Sequence, residues 1–486
     1  MEEAQNGAHD LALGLADPGS FEVRQDGLRS RDPLGYPGYG DALAAAAERA
    51  KADESVVTGM ATIEGHRVEL AAFQFDFLGG SMGEVAGERL ARAMEMAAKR
   101  RVPFVLRTAT GGARMQEGMR SLIQMPKVVS ARMLLADAHE AFIAVLGHPT
   151  TGGVFASLGS LADVTLAEDN ATIGFAGPRV AESFTGSPLP KDSHTSSSAL
   201  SHGLVDAVID RASMRTAVGE VLDCLAPAVS RSAGADQPEI SDTEIDAWEA
   251  LQRARSPQRL SGRRLVDAVT ERFTELRGDR AGSDDPAVIA GLGRVDGRPL
   301  VVIALDPAHA PNPAGFRKTL RCLDVARRLD LPLVTFVDTP GADPSAPSEA
   351  AGVAGAIARL FEAMLAAPVP TLAVVTGEGG SGGALAFATT DRVVAFEDAV
   401  FSVIGPEGAA QILWRDPSRA PEAARVLKLT ALDLHRLGIA DHVHPGPLDA
   451  TNLRRVVTYH LDVLIDERPR GADPGDARRQ RWRKTW

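Results

Sequence analysis

The chain has 486 residues and a formal net charge of −12, so it is long enough for two or three domains and shows no global preference for nucleic acid or an anionic membrane. Its only cysteines, Cys224 and Cys322, are too few and too distant for a structural zinc site, and we predict no metal. No apolar run is long enough to span a membrane and the acidic N-terminus is unlike a secretory signal, which predicts a cytoplasmic protein.

Residues 1–40 are rich in Gly, Asp and Pro, and we predict a loosely ordered N-terminal extension. Residues 41–224 then alternate short apolar strands with helical stripes, a pattern typical of βαβ units and a largely parallel sheet. Two strands of this segment lead into glycine turns, one at Gly111-Gly112 and one at Gly152-Gly153. The sequence therefore predicts a first α/β domain with two strand–turn–helix junctions.

The same pattern recurs in residues 300–410. Gly382-Gly383 follows a strand as Gly152-Gly153 does, at an offset of 382 − 152 = 230 residues. A repeat of this length indicates a duplicated domain and not a solenoid. We predict a linker at 225–262 with a short helix, a second domain at 263–450, and a C-terminal helix with a basic tail at 451–486, mobile from residue 468.

The turn at residues 377–384 matches several signatures. Gly377, Gly379 and Gly382 satisfy the G-x-G-x-x-G pattern of dinucleotide sites, and Ser381 lies at the centre of a G-x-S-x-G nucleophile elbow. A third interpretation is an oxyanion hole built from backbone N–H groups, and a fourth is close helix–strand packing. The first copy keeps only the Gly-Gly pair at a helix start, so the requirement that both copies share is oxyanion binding or packing.

Several motifs carry a resemblance to a known family. Residues 77–83, 111–117 and 173–179 resemble the carboxyltransferase beta subunit of bacterial acetyl-CoA carboxylase. Residues 273–280, 336–342, the glycine-rich turn and residues 402–408 are similar to the alpha subunit. The resemblance covers roughly residues 30–220 and 255–445. It implies a natural beta–alpha fusion and an α/β fold of two tandem crotonase-like (ClpP-like) ββα-spiral domains.

The resemblance also implies a reaction. Carboxybiotin on a separate carrier protein donates its carboxyl group to the α-carbon of acetyl-CoA or another short acyl-CoA, with two enolate-like species and no required side-chain base. The N–H groups of Gly152 and Gly153 are expected to face the thioester oxygen, and those of Gly382 and Gly383 the biotin ureido oxygen. The other expected substrate-binding residues flank these pairs: Gly112, Ala113, Arg114, Gly177, Arg179, Gly341, Ala342 and Gly405. Arg114 and Arg179 follow glycine turns, and each is expected either to contact CoA phosphates or to be a solvated residue at a helix end.

The implied partners are acyl-CoA, a biotin carboxyl carrier protein and a biotin carboxylase, in a homodimer or larger ring. Two alternatives stay open at this point. The beta subunit usually begins with a four-cysteine zinc ribbon, and this chain has no cysteine before Cys224. The first is a malonyl-thioester decarboxylase component like that of malonate decarboxylase, which also lacks the ribbon. The same oxyanion stabilisation serves either direction of carboxyl transfer. A non-catalytic scaffold that keeps the fold is the second alternative.

Overall fold

A computed structural model describes residues 12, 14–228, 236–467 and 474–484. The backbone divides into two compact units. Unit 1 comprises Met1–Leu222 and Arg280–Ser283, and unit 2 comprises Asp223–Asp279 and Asp284–Trp486. Among the described helices, none is both long and apolar enough to cross a membrane.

Unit 1 is built on an eight-stranded sheet in the order β1-β2-β3-β4-β5-β6-β8, with β7 paired to β5. The strands are β1 (Glu22–Val23), β2 (Val56–Ile63), β3 (His66–Phe73), β4 (Phe104–Thr110), β5 (Phe142–Thr151), β6 (Val164–Glu168), β7 (Ile173–Gly174) and β8 (Ala207–Ile209). β1, β2 and β3 pair antiparallel, and every pairing from β3 to β8 is parallel. All seven residues of β4 are buried, as expected for a parallel strand covered on both faces.

The helices of unit 1 cover this sheet and frame its turns. They are α1 (Tyr39–Ala50), α2 (Glu84–Arg100), α3 (Met119–Leu122), α4 (Gln124–Asp137), α5 (Gly152–Val154), α6 (Pro178–Thr185), α7 (Ser196–Ser201) and α8 (Met214–Leu225). α2 buries a stripe that includes Ala86, Leu90, Ala93 and Ala97, the periodicity of a helix with one face toward the core. That face and α4 join the main apolar core with the sheet.

Unit 2 repeats the plan with an eight-stranded sheet in the order β16-β14-β13-β12-β11-β10-β9, with β15 paired to β13. The strands are β9 (Arg272–Glu275), β10 (Val288–Val295), β11 (Arg298–Leu305), β12 (Leu333–Thr339), β13 (Thr371–Gly380), β14 (Arg392–Phe396), β15 (Val400–Ser402) and β16 (His442–His444). β9, β10 and β11 pair antiparallel and the remaining strands pair parallel. The sheets of the two units therefore have the same topology, which confirms the predicted α/β fold of two tandem ββα spirals.

Eleven helices of unit 2 are described. They are α9 (Ala247–Ala254), α10 (Gly262–Val269), α11 (Pro313–Leu329), α12 (Ala346–Ala350), α13 (Val353–Ala366), α14 (Ser381–Ala388), α15 (Pro406–Trp414), α16 (Ala420–Val426), α17 (Ala431–Arg436), α18 (Ala450–Asp466) and α19 (Pro474–Lys484). The 17-residue helix α11 starts with Asn312 as a side-chain cap and Pro313 in its first turn, a strong start signal.

The basic tail differs from the prediction where it is described. Residues 468–473 and 485–486 lie outside the described residues, but residues 474–484 form α19. Arg478 of this helix is 1% exposed, and its guanidinium donates to the Ala367 and Val369 carbonyls and to the Asp391 carboxylate. The predicted mobility is therefore wrong for α19, because no local pattern marks Arg478 as buried among the basic residues of this segment.

Candidate functional site

The first candidate site lies where two neighbouring parallel strands of unit 1 end. β4 and β5 are in register at Thr110 and Thr150, and each continues into a glycine turn. The two turns touch, since a Cβ added to Gly112 would lie 3.2 Å from the Cα of Gly152. Both glycines have positive φ, 109° and 67°. The backbone conformation and the close approach together require glycine at both positions.

Only some of the backbone donors in these turns are free. Gly152 N–H donates to the Phe175 carbonyl at 2.8 Å, and Gly112 N–H donates to Thr110 Oγ1 at 2.9 Å. Gly153 N–H belongs to the first turn of α5, where no intrahelical acceptor exists and no side chain caps the helix. Ala113 N–H donates to no other described residue. The free donors are thus Gly153, from one turn, and Ala113, from the other.

This arrangement corrects one predicted detail. Gly152 and Gly153 are expected to act as a pair of donors on the same oxygen, but the Gly152 N–H is already used inside the protein. The role of Gly152 is conformational, because its positive φ directs the chain from β5 into α5. Gly153 and Ala113 are both partly exposed, as donors to a ligand must be.

Unit 2 repeats the same junction at an offset of 339 − 110 = 229 residues, because Thr110 pairs with Thr150 and Thr339 pairs with Gly379. Gly341 has a φ of 135° and donates to Thr339 Oγ1 at 3.3 Å, as Gly112 does to Thr110. Ala342 N–H donates to no other described residue. Gly382 is the second residue of α14, which has no side-chain cap. Gly382 and Ala342 are therefore the partly exposed free donors of unit 2.

The offset between the two junctions in the structure is 339 − 110 = 229 residues, one fewer than the predicted 230. Ser381, with a φ of 56°, occupies the position of Gly152, and Gly383 occupies that of Val154. Gly383 is buried, and a Cβ there would lie 2.5 Å from Ala342 N. The absence of a side chain at Gly383 therefore lets the two turns approach each other, and the partly exposed donor beside it is Gly382.

The two signature interpretations of this turn do not fit its geometry. Gly377, Gly379 and Gly380 lie within strand β13 and not in a phosphate-binding loop. A Cβ at Gly379 would collide with the Phe401 ring of the neighbouring strand, so packing explains that glycine. Ser381 is exposed, but its hydroxyl makes no hydrogen bond to another described residue and so has no adjacent base. The dinucleotide and serine-nucleophile interpretations therefore have no structural support.

Arg114 does not lie at the surface as a CoA-phosphate ligand would. Its side chain is fully buried and forms an ion pair with Glu54, which is also buried. It also pairs with Glu117 at 3.3 Å and donates to the Ser81 carbonyl at 2.8 Å. Burial alone would raise the pKa of Glu54, but the Arg114 guanidinium outweighs it and holds that pKa below its usual range. The predicted phosphate contact is wrong, and Arg114 instead anchors the Gly111–Ala113 turn.

The remaining predicted residues flank the two junctions. Gly177 and Gly405 directly precede α6 and α15 as their N-terminal caps. Arg179 is exposed on α6 and forms no ion pair with another described residue, so it stays a candidate for phosphate binding. No group of three or more described His, Cys, Asp or Glu residues could hold a metal ion.

Two arginines that the sequence did not single out fix the second junction. Arg255 donates through two nitrogens to the Glu378 carboxylate, both at 2.8 Å, and through a third to Glu407 at 2.7 Å. Arg259 donates through two nitrogens to Asp338, which also accepts the Glu378 N–H at 3.2 Å. Asp338 and Glu378 lie near the ends of β12 and β13, so these contacts position the strands that lead into the Ala342 and Gly382 turns.

Replacing Arg259 by alanine should lower the activity that depends on the second junction and the stability of unit 2 together. Asp338 is 1% exposed and burial raises its pKa, so losing its bidentate partner leaves a buried acceptor unsatisfied at a cost of about 1–3 kcal/mol. Arg259→Lys should rescue only part of the loss, because lysine cannot form the two-pronged contact. Urea unfolding and steady-state rates provide the readouts.

Arg253→Ala is the matched control for that substitution. Arg253 pairs with Glu249 and Asp398 at the surface, where an ion pair contributes little. If Arg259→Ala and Arg253→Ala have the same small effect on both measurements, Arg259 does not position the turn.

Comparison with known proteins places this geometry in context. Residues 231–461 match the family model described as "Acetyl co-enzyme A carboxylase carboxyltransferase-like". A Salinispora arenicola protein named acetyl-coenzyme A carboxylase carboxyl transferase subunits beta/alpha is 43% identical, covering 93% of this chain and 86% of the relative. A Mycobacterium bovis protein named probable biotin-dependent acyl-coenzyme A carboxylase beta3 subunit is 36% identical, covering 91% of this chain and 90% of the relative.

A solved structure extends the likeness to the fold. The transcarboxylase 12S structure, a hexamer with methylmalonyl-coenzyme A bound, matches with a TM-score of 0.78 and 24% identity. The match covers 96% of this chain and 92% of the transcarboxylase chain. It therefore supports the same two-domain architecture over nearly the whole length of both proteins.

Proposed function

This chain belongs to the acetyl-CoA carboxylase carboxyltransferase family, with beta-like and alpha-like halves in one polypeptide, and we propose that its two strand-end junctions bind the two oxygens that gain negative charge during carboxyl transfer. The enzyme transfers a carboxyl group from carboxybiotin to a short acyl-CoA. One observation carries the assignment of the sites. Each unit offers two partly exposed N–H donors, one from each of two touching turns, at equivalent positions.

In unit 1, Gly153 and Ala113 donate to the thioester oxygen of the acyl-CoA. Removal of the α-proton moves negative charge onto that oxygen, and preorganised N–H donors stabilise the charge without reorganisation. Loss of one such donor typically costs about 2.7–4 kcal/mol of barrier. The Met125 side chain lies against Gly153, where it limits the room beside the donor and favours a short acyl group.

In unit 2, Gly382 and Ala342 form the corresponding pair for the donor substrate. When bound, carboxybiotin supplies the carboxyl group and a ureido oxygen whose charge grows as that group leaves. The residues present fit such a ligand, because Gly382, whose N–H is free, lines a mainly apolar cavity, and the Ala342 turn packs against the neighbouring Gly383. Gly382 and Ala342 hold the ureido oxygen, while Gly383 and the Arg259–Asp338 pair hold the two turns in place.

The partners follow from the same assignment. A separate biotinylated carrier protein and a biotin carboxylase in the cytoplasm supply the carboxyl group, and a second copy of this chain completes the assembly. Exposed apolar side chains beside both junctions support a homo-oligomer. Phe175 and Phe184 are 69% and 91% exposed in unit 1, and Val403 and Ile412 are 71% and 70% exposed in unit 2. Apolar faces of this kind usually mark interfaces.

The test is an assay of the purified protein with malonyl-CoA, with and without free biotin. Acetyl- and propionyl-CoA, which carry no carboxyl group to transfer, serve as blanks. We expect malonyl-CoA to lose its carboxyl group to biotin, with no turnover in the absence of biotin. Decarboxylation of malonyl-CoA at the same rate without biotin would identify a decarboxylase component instead. Absence of malonyl-CoA turnover in the presence of biotin would favour a scaffold.

A further inference from the structure

The cavity beside the Gly382 turn is lined in part by the C-terminal helix α19. It has a volume of about 310 Å³, and Ser381 and Gly382 are among its lining residues. Its walls are mainly apolar, with Leu385, Phe401 and Leu434 from the body of unit 2 and Trp482 from α19. A helix nearly one hundred residues beyond the glycine turn in the sequence therefore supplies part of the wall around it.

Trp482 is held firmly in this position. Its indole N–H donates to the Thr390 carbonyl at 3.1 Å. One turn earlier in α19, Arg478 donates to the Asp391 carboxylate at 2.6 and 2.9 Å, and the same carboxylate accepts the Thr371 N–H at 2.8 Å. Thr371 begins β13, the strand that ends at the turn, so one hydrogen-bonded cluster connects α19 to that strand.

We propose that Trp482 is a specificity-determining residue of the donor site, where its indole packs against the apolar ring of biotin while Gly382 and Ala342 hold the ureido oxygen. This inference rests on the proposed function and adds a side chain to a donor site that otherwise consists of backbone N–H groups. Biotin combines a polar ureido edge with an apolar thioether ring, and the cavity combines the Gly382 backbone with mainly apolar walls. Aromatic side chains supply large contact areas of this kind.

Two measurements on Trp482→Ala and Trp482→Phe test the proposal. Equilibrium dialysis with radiolabelled biotin should show binding weakened about tenfold or more in Trp482→Ala and nearly unchanged in Trp482→Phe, as for the loss of an aromatic anchor. In the malonyl-CoA assay the KM for biotin should rise by a similar factor while the KM for malonyl-CoA stays constant. Gln480→Ala, an exposed position on the same helix, should change neither quantity.

A variant that fills the cavity tests the proposal if Trp482→Ala does not fold. Leu437 lines the cavity and is 55% exposed, so Leu437→Trp should reduce the space without disturbing the core, and it should also raise the KM for biotin. Unchanged biotin binding in Trp482→Ala or, where that variant does not fold, in Leu437→Trp would overturn the proposal, as would a wild-type protein that binds no biotin. Biotin binding that weakens as expected without any carboxyl transfer would support the cavity and refute the proposed function.

Discussion

Replacing Gly382 by valine should reduce carboxyl transfer by about a hundredfold to a thousandfold while leaving the fold intact. A Cβ at Gly382 meets no atom within 4 Å and Gly382 does not have a positive φ, so the backbone accepts a side chain there. The N–H group survives the substitution. The branched side chain instead occupies the space beside the free donor and blocks the oxygen from approaching it.

Substitutions at two other glycines provide the comparisons for Gly382→Val. Gly355 is exposed in α13 with nothing within 4 Å of an added Cβ, so Gly355→Val should keep full activity. Gly383→Ala should lower both activity and stability, because its Cβ would lie 2.5 Å from the backbone nitrogen of Ala342. Steady-state rates with malonyl-CoA and biotin, together with melting curves, separate the three variants. A Gly382→Val protein with normal kcat would remove this turn from the donor site.

Replacing Glu54 by alanine should destabilise unit 1 by about 3–5 kcal/mol, the usual cost of removing one partner from a buried ion pair. Arg114 is fully buried, and Glu54 is its closest partner. Of the described ion pairs of Arg114, only the one with Glu117, at 3.3 Å, would then remain. Because Arg114 anchors the Gly111–Ala113 turn, the donor Ala113 should lose its fixed position as well.

The unfolding of the two units can be followed as separate transitions, since a chain of this size is not expected to unfold in one step. The first informative comparison is with Arg120→Ala, which removes an exposed ion pair to Glu84 and should cost less than about 1 kcal/mol. A Glu54→Ala protein that is as stable as Arg120→Ala and binds acyl-CoA more tightly would restore Arg114 to the role of a phosphate ligand.

The repeat, the fold class and the positions of both glycine turns could be predicted from sequence because they depend on local patterns. The pairing of donors could not. Gly152 and Gly383 look equivalent to their neighbours in a Gly-Gly pair, yet one donates to Phe175 and the other is buried against Ala342. The residue with positive φ at the start of the helix is Gly152 in unit 1 but Ser381 in unit 2. Matching the two Gly-Gly pairs by sequence therefore placed the alignment of the two units one residue off.

Long-range contacts explain the other differences. Arg114 follows a glycine turn as a phosphate-binding arginine might, and only the fold shows that Glu54, 60 residues earlier, neutralises it. Arg255 and Glu378 are 123 residues apart, so no local pattern joins them. The same holds for Arg478 and Asp391, at a separation of 87 residues. Each of these arginines is one of many charged residues in the sequence. Burial distinguishes Arg114 and Arg478, whereas Arg255 is exposed and is distinguished by its contact with the buried Glu378.

We propose that each oxygen is held by N–H groups from two different turns. A structure of the protein with acyl-CoA bound tests it most directly. The thioester oxygen should lie about 2.7–3.1 Å from both Gly153 N and Ala113 N. A thioester oxygen bound at Gly382 and Ala342, or bound away from both pairs, would contradict the account.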